Sequence, residues 1–326
     1  MHHHDISLLQ MGYQLFYTGN GWCFLVWVWG MPEPRQLRRL HISREFSAIL
    51  SLLGISAIWG LTFPMIKVAL SDVTPCAFLS IRFLTALIVS SLLFRKDLSS
   101  AARSSVRDGI LAGVFLAVAY ILQTVGLQYT TASKSGFITG LYVAFTPPLS
   151  KILLKLRISR LSLLAVFLAF VGLSMLSEVN PTTLTMNYGD FLTLLCAIAY
   201  AVNVVLVGKY SKTNRPTTLS TIQIAVVFAV STLAWPFMEP IRLPTSTSAW
   251  FAVLFTAVFA TSLALLAQNY AQRYVDPTRA ALIFIAEPIF AALFSYLALG
   301  ETLTITGLLG AALIIFSILI SIVSRG

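Results

Sequence analysis

Apolar residues fall in ten near-continuous runs, over residues 46–66, 75–94, 109–128, 135–154, 161–177, 188–208, 219–238, 249–270, 280–299 and 303–323. Each run approximates the roughly 17 to 25 residues needed to cross a hydrocarbon core of about 30 Å, so each predicts a transmembrane helix. The segments between them are short and carry helix breakers: Ser71-Asp72-Val73-Thr74-Pro75, Asn180-Pro181, Asn214-Arg215-Pro216, Asp276-Pro277 and Gly300-Glu301. None is long enough to be a soluble domain. The expected fold class is therefore an all-α polytopic membrane protein.

The runs repeat. Sliding the chain against itself by 145 positions places Leu122-Gln123 over Ala267-Gln268, Tyr129 over Tyr274, Lys134 over Arg279, and Gly136-Phe137 over Ala281-Leu282. A shift of about 141 brings Ile58-Trp59-Gly60 over Ala199-Tyr200-Ala201. Phe145-Thr146-Pro147-Pro148-Leu149 resembles Ile285-Ala286-Glu287-Pro288-Ile289 once the first half is allowed an extra helical turn. The chain thus divides into two five-helix repeats, 46–177 and 188–323. Five is odd, so the second repeat must insert upside down relative to the first. Such inverted repeats are an architecture of secondary transporters, because exchanging the conformations of the halves exchanges access from the two sides.

Composition narrows the class further. The chain is 57% hydrophobic and 10% charged, with a mean hydropathy of +0.85, which excludes a water-soluble globular domain. Its net charge of +10 comes from 22 Lys and Arg against 12 Asp and Glu. With both termini on the cytoplasmic side, Arg35, Arg38, Arg39 and Arg44 lie inside. So do the groups Arg95, Lys96, Arg103, Arg107; Lys151, Lys155, Arg157, Arg160; Lys209, Lys212, Arg215; Arg273, Arg279; and Arg325. Only Lys134 and Arg242 fall outside, and Lys67 and Arg82 lie at or within spans. This asymmetry follows the positive-inside rule and supports the ten-span count. It points away from nucleic acid, while the compact loops suit a bacterial cytoplasmic (inner) membrane. Cys23, Cys76 and Cys196 fit neither a disulfide framework nor a metal pattern. Residues 1–44 stand apart: the apolar stretch 21–30, rich in Trp, is too short to span. It either lies at the membrane interface or precedes a true start at a later Met such as Met31.

Ionisable groups deep in a span cost about 2.5 to 3.5 kcal/mol on insertion scales and point to function. Arg82 and Glu287 are the two here, each roughly 10 Å deep at about 1.5 Å per residue. Glu287 either couples transport to protons or neutralises a substrate amine, or else it satisfies backbone groups released by Pro288. Arg82 either binds a substrate carboxylate or clamps helix carbonyls or Glu287. Gln123, Asn203, Gln268 and Asn269 supply neutral polar groups, with Trp59, Tyr120, Tyr142 and Tyr200 as aromatic walls. Each of these could equally be an interhelical hydrogen bond. Lys67 and Lys134 near the outer ends read as ordinary snorkelling lysines. Gly109 with Gly113, and Gly136 with Gly140, have small-xxx-small spacing. Pro147, Pro148 and Pro288 are hinge candidates, or static kinks.

Four segments together resemble the EamA-type branch of the drug/metabolite transporter superfamily: residues 57–64 (AIWGLTFP), 80–84 (SIRFL), 134–143 (KSGFITGLYV), and 287–293 (EPIFAAL) followed by Leu299-Gly300-Glu301. The resemblance spans about 46 to 323. It implies ten helices in two inverted EamA repeats, a central cavity, and often export of amino acids, other metabolites or toxic compounds. One departure is Lys155-Leu156-Arg157, where the first repeat lacks an acidic residue like Glu301. No Walker A, HExxH or GxSxG sequence occurs, so energy is expected from a gradient or from exchange. The expected function is a secondary carrier, an exporter of small organic solutes by alternating access, with protons as a candidate coupling ion and neither cofactor nor metal. It would act as a monomer or homodimer. The alternatives are a nucleotide-sugar or phosphorylated-metabolite exchanger, which would need several cations facing one cavity, and an intramembrane lipid-modifying enzyme. The latter would need clustered acids or nucleophiles near one interface.

Overall fold

A computed structural model describes residues 44–177, 186–240, 242–299 and 304–323, and among them all regular structure is helical. The expectations for the N-terminal extension, Asn180-Pro181 and Gly300-Glu301 lie outside the described residues. Ten helices follow one another. They are α1 (Arg44–Ala69), α2 (Pro75–Leu93), α3 (Arg103–Tyr129), α4 in two pieces (Ala132–Gly140 and Tyr142–Leu154) and α5 (Arg160–Leu176). The second repeat holds α6 (Tyr188–Tyr210), α7 (Pro216–Met238), α8 (Thr247–Ala271), α9 in two pieces (Pro277–Phe284 and Glu287–Leu299) and α10 (Ile305–Val323). A single helical turn, Arg95–Ser99, joins α2 to α3.

Several helices run past the apolar stretches that predict them; α3 starts at Arg103 although its apolar run starts at 109. A helix satisfies its own backbone, so it continues until a cap takes over. Pro75, Pro216 and Pro277 occupy first turns, where a missing N–H costs nothing. Thr131, Ser159, Ser246 and Asp276 accept backbone N–H groups as N-caps, and Asn187 forms a capping box with Asp190. At 17 residues α5 is the shortest of the unbroken helices.

Packing follows the repeat. α3 lies against α6 as α8 lies against α1; α4 touches α6 as α9 touches α1; α3 meets α7 as α8 meets α2. The pairs α2–α7 and α5–α10 cross between the repeats. The first helix of each repeat thus packs into the other repeat. The α5–α10 crossing depends on glycine: a Cβ on Gly310 would stand 2.5 Å from the carbonyl oxygen of Gly172, and one on Gly172 would stand 2.8 Å from that of Gly310. In lipid, where helix association rests on close packing, such an approach is a main source of attraction. Gly109 and Gly113 likewise face α7, through Ile222 and Val226, whereas Gly136 has open space beyond it.

Three interruptions shape the interior. α4 breaks at Leu141 and α9 at Ile285-Ala286, both in tight turns that keep backbone hydrogen bonds: Leu141 N–H to Ile138, Ala144 N–H to Leu141, and Ala286 N–H to Ile283. The break in α4 precedes Pro147 and Pro148, which sit inside the continuous piece Tyr142–Leu154. In α9 the break immediately precedes Glu287-Pro288, as expected where a proline lacks the N–H that would bond back to Phe284 and its ring crowds that carbonyl. The third interruption, a π-helical stretch Thr256–Leu263 within α8, has no Gly or Pro to announce it.

Outside the membrane, Asp72 in the α1–α2 connection accepts from the backbone N–H groups of Thr245 (2.7 Å) and Ser246 (2.8 Å), and from both hydroxyls, at the start of α8. The Thr245 hydroxyl bond leads in holding its carboxyl well below the ordinary carboxylate range. A depressed folded-state value means stability that is present above the unfolded carboxylate value, about 3.9, and is lost as pH falls below it. Asp72→Asn should therefore lower the thermal unfolding midpoint in detergent at pH 7, and the gap to wild type should narrow below about pH 4. Gly172→Leu should separate α5 from α10 and destabilise by about 1–3 kcal/mol in chemical unfolding, with Gly54→Leu, which meets open space, as the neutral control.

Candidate functional site

Between the breaks of α4 and α9 lies a central cavity of about 740 Å³, its mouth included. Its walls come from α1, α2, α3, α4, α6, α8 and α9, so both repeats contribute. Of the residues singled out from sequence, Trp59, Arg82, Tyr120, Gln123, Tyr142, Tyr200, Asn203, Gln268 and Glu287 all line it. Asn269 does not: it is fully buried behind the wall, bonded to the Leu265 carbonyl and to Gln223. Other lining residues escaped the sequence reading, chiefly Phe63, Thr139 and Phe284. Trp59, Thr62, Phe63 and Ile66 follow the three-to-four residue spacing of one helix face, a signal that would have extended the α1 wall from Trp59.

The π-helical stretch explains the behaviour of Arg82. Its altered register aims the Ala260 carbonyl inward, where it accepts from Trp59 Nε1 at 2.9 Å and from Arg82 Nη2 at 3.5 Å. Arg82 Nε donates to Thr261 Oγ1 at 2.8 Å, and the guanidinium lies 5.0 Å from the Tyr120 ring centre and 5.5 Å from that of Phe83. Arg82 is thus a clamp of α2 onto α8 as well as a cavity wall, and it is not bonded to Glu287. Glu287 begins the second piece of α9. Among the described residues its carboxylate makes no hydrogen bond or ion pair, and it faces the cavity with Trp59, Tyr142 and Phe284. Gly60 holds α1 against it: a Cβ there would stand 2.6 Å from the Glu287 carbonyl oxygen.

The amides divide between the cavity and the packing. Gln123 donates to Thr139 Oγ1 (3.2 Å) and accepts from the Tyr200 hydroxyl (3.3 Å), joining α3, α4 and α6 at the cavity wall. Its repeat mate Gln268 donates to Gln272, which holds the Val204 carbonyl at 2.9 Å. Asn203 bridges the Ala112 carbonyl and Gln223, which continues to Asn269. That last chain is buried and mutually satisfied.

Two ion pairs related by the repeat hold the broken helices. Lys134, in the first turn of α4, pairs with Asp190, in the first turn of α6; the Asp190 carboxylate is fully buried and also accepts from Thr130 Oγ1 (2.7 Å) and the Asn187 N–H (2.9 Å). Arg279, in the first turn of α9, pairs with Glu45, in the first turn of α1, at 2.7 Å and donates to the Ser321 carbonyl of α10 at 2.9 Å. Lys67 donates to the carbonyls of Leu127 and Thr130 (2.7 Å for the latter) at the end of α3. These lysines are therefore not snorkelling groups: each meets an orphan carbonyl or buried carboxylate left at a helix end. The two ends of the cavity also differ. On the face that holds the start of α1, Pro277–Phe284 is buried throughout. On the opposite face the matching piece Ala132–Gly140 leaves Lys134 and Gly136 partly exposed, with open space at Gly136.

The EamA-like transporter family model matches residues 46–178 and again 187–323. A protein of Archaeoglobus fulgidus described as an uncharacterized transporter is 36% identical over 279 residues, covering 85% of this chain and 86% of that one. The uncharacterized transporter YyaM of Bacillus subtilis is 25% identical over 290 residues, covering 85% and 93%. A solved crystal structure superposes with a TM-score of 0.71 at 16% identity, over 85% of this chain and 96% of that chain, which is a likeness of fold.

Removing Lys134 leaves the Asp190 carboxylate buried and short of its cation. Lys134→Ala should cost on the order of 3 kcal/mol in a chemical unfolding experiment in micelles, and Asp190→Asn in the same background should recover part of the loss.

Proposed function

The chain belongs to the EamA-like transporter family, and on that premise we propose that it is a secondary active exporter of small organic solutes carrying an aromatic or aliphatic body and an amine. The observation that carries this reading is Glu287, an acid in an aromatic-walled cavity with no protein partner among the described residues, beside an Arg82 already committed to α8. A carboxylate in low dielectric attracts a cation strongly, and Trp59, Tyr120, Tyr142, Tyr200 and Phe284 supply both apolar contact and cation–π surface for it. Amino acids with apolar side chains and amphipathic amines both meet this description.

The same carboxylate suits proton exchange. A solute amine and a proton would compete for Glu287, so that protonation from one side releases the amine and deprotonation to the other readmits it. The moving bodies in this reading are not the two chain repeats, because α1 packs with α8 and α9, and α6 with α3 and α4. Each body contains one broken helix anchored by its ion pair, Lys134–Asp190 or Arg279–Glu45. Rocking about the α2–α7 and α5–α10 crossings would open one end as it closes the other. With the basic-rich face cytoplasmic, the buried Pro277–Phe284 end is the closed cytoplasmic gate and the open Ala132–Gly140 end faces outward.

Proteoliposomes with an imposed pH gradient and labelled aromatic amino acids or amphipathic amines test this. Wild type should give saturable flux that follows the gradient. Glu287→Gln should lose the dependence on the gradient and at least about tenfold in flux, while eluting as a folded protein. Flux unchanged by Glu287→Gln would sink the assignment of that residue.

A further inference from the structure

A second cavity opens on the face that holds the start of α1, about 1180 Å³ with its mouth, and it is walled differently from the first. Three of its wall residues are exposed cations from three separate connections: Arg157 between α4 and α5, Lys212 between α6 and α7, and Arg273 between α8 and α9. None of the three has an acidic partner within ion-pair distance among the described residues. The two acids in the wall, Glu45 and Asp276, both face Arg279 on the floor, at 2.7 Å and 4.0 Å. Among the described residues the cationic rim is therefore uncompensated, and Ser159 and Thr278 also line the cavity.

The fold does not require this charge. The register that places Pro75 on Pro216 puts Ser71 at the position of Lys212, and the register that places Tyr129 on Tyr274 puts Gln128 at the position of Arg273. Both of those positions on the opposite face are neutral, so the charges of Lys212 and Arg273 are not demanded by the repeat. Next to it, α5 leaves Leu161, Leu163 and Leu164 uncovered by protein, 46% to 52% exposed. A cationic recess with hydroxyls at the membrane surface, beside an apolar helix face that only lipid can cover, matches a phosphate headgroup with its acyl chains.

We propose that this cavity binds the phosphate headgroup of an anionic phospholipid, with Arg157, Lys212 and Arg273 as its cationic contacts. The lipid bridges the connections of three helix pairs around the start of α9. A phosphate ester in solution carries the same chemistry without the acyl chains, so the experiment separates the two sources.

The protein in nanodiscs of phosphatidylcholine, with or without phosphatidylglycerol, is analysed by native mass spectrometry for retained lipid and by thermal unfolding. Wild type should retain phosphatidylglycerol selectively and unfold at a higher temperature with it. Each single change, Arg157→Gln, Lys212→Gln or Arg273→Gln, should weaken retention about fivefold, and the triple variant roughly a hundredfold, with unfolding in pure phosphatidylcholine unchanged. Inorganic phosphate or glycerol 3-phosphate should not displace the lipid. Equal retention by wild type and the triple variant overturns the proposal, and so does displacement by glycerol 3-phosphate at micromolar concentration, which would assign a soluble ester. If the triple variant fails to fold, Lys212→Glu alone must still reduce retention, or the proposal fails.

Discussion

Two helices of this protein break within the membrane-spanning bundle, where lipid cannot satisfy the backbone groups that a broken helix releases. α4 and α9 meet that constraint first at the breaks themselves, where Leu141, Ala144 and Ala286 keep their N–H groups bonded in tight turns. They meet it again at their starts, where the caps Thr131 and Asp276 receive the N–H groups of the same residues, Lys134 and Arg279, whose side chains reach the neighbouring repeat. A broken helix needs anchoring at its outer end precisely because its inner end is free to shape a cavity. The two ion pairs provide that anchoring at opposite ends of the molecule.

The cavity's chemistry follows from the same economy. Polar groups in lipid must find partners, so those left over are informative. Asn203, Gln223 and Asn269 satisfy one another and serve the packing of α6, α7 and α8. Arg82 spends its donors on the π-helical stretch of α8, and Trp59 shares the same carbonyl. Glu287 is left facing the cavity. Among the described residues it has no partner, and in the proposed reading that is where a solute or a proton has something to gain.

The repeat is symmetric in its packing and asymmetric in its charge. Both halves place a cation in the first turn of the broken helix and an acid in the first turn of the helix beside it, so one alignment relates the structural anchors. The rim cations Arg157, Lys212 and Arg273 sit on one face only. Their distribution follows the membrane, which has two different sides, and not the bundle, which has two equivalent halves.

The sequence by itself determined the ten helices, the inverted repeat and nine of the nineteen residues that line the cavity, because each rests on local signals: apolar length, proline and glycine breakers, and the rarity of ionisable groups in a span. The correspondence of Lys134 with Arg279 was equally legible, yet not its meaning, since the acids they meet lie 56 and 234 residues away in the chain. Only the tertiary structure decided that α1 and α6 exchange sides, that Asn269 stands behind the wall, and that Arg82 is a clamp. The π-helical register of α8 belongs with these. Gly and Pro mark a break locally, whereas an extra residue in one turn is held by what packs around it, and here that is Trp59 and Arg82 from two other helices.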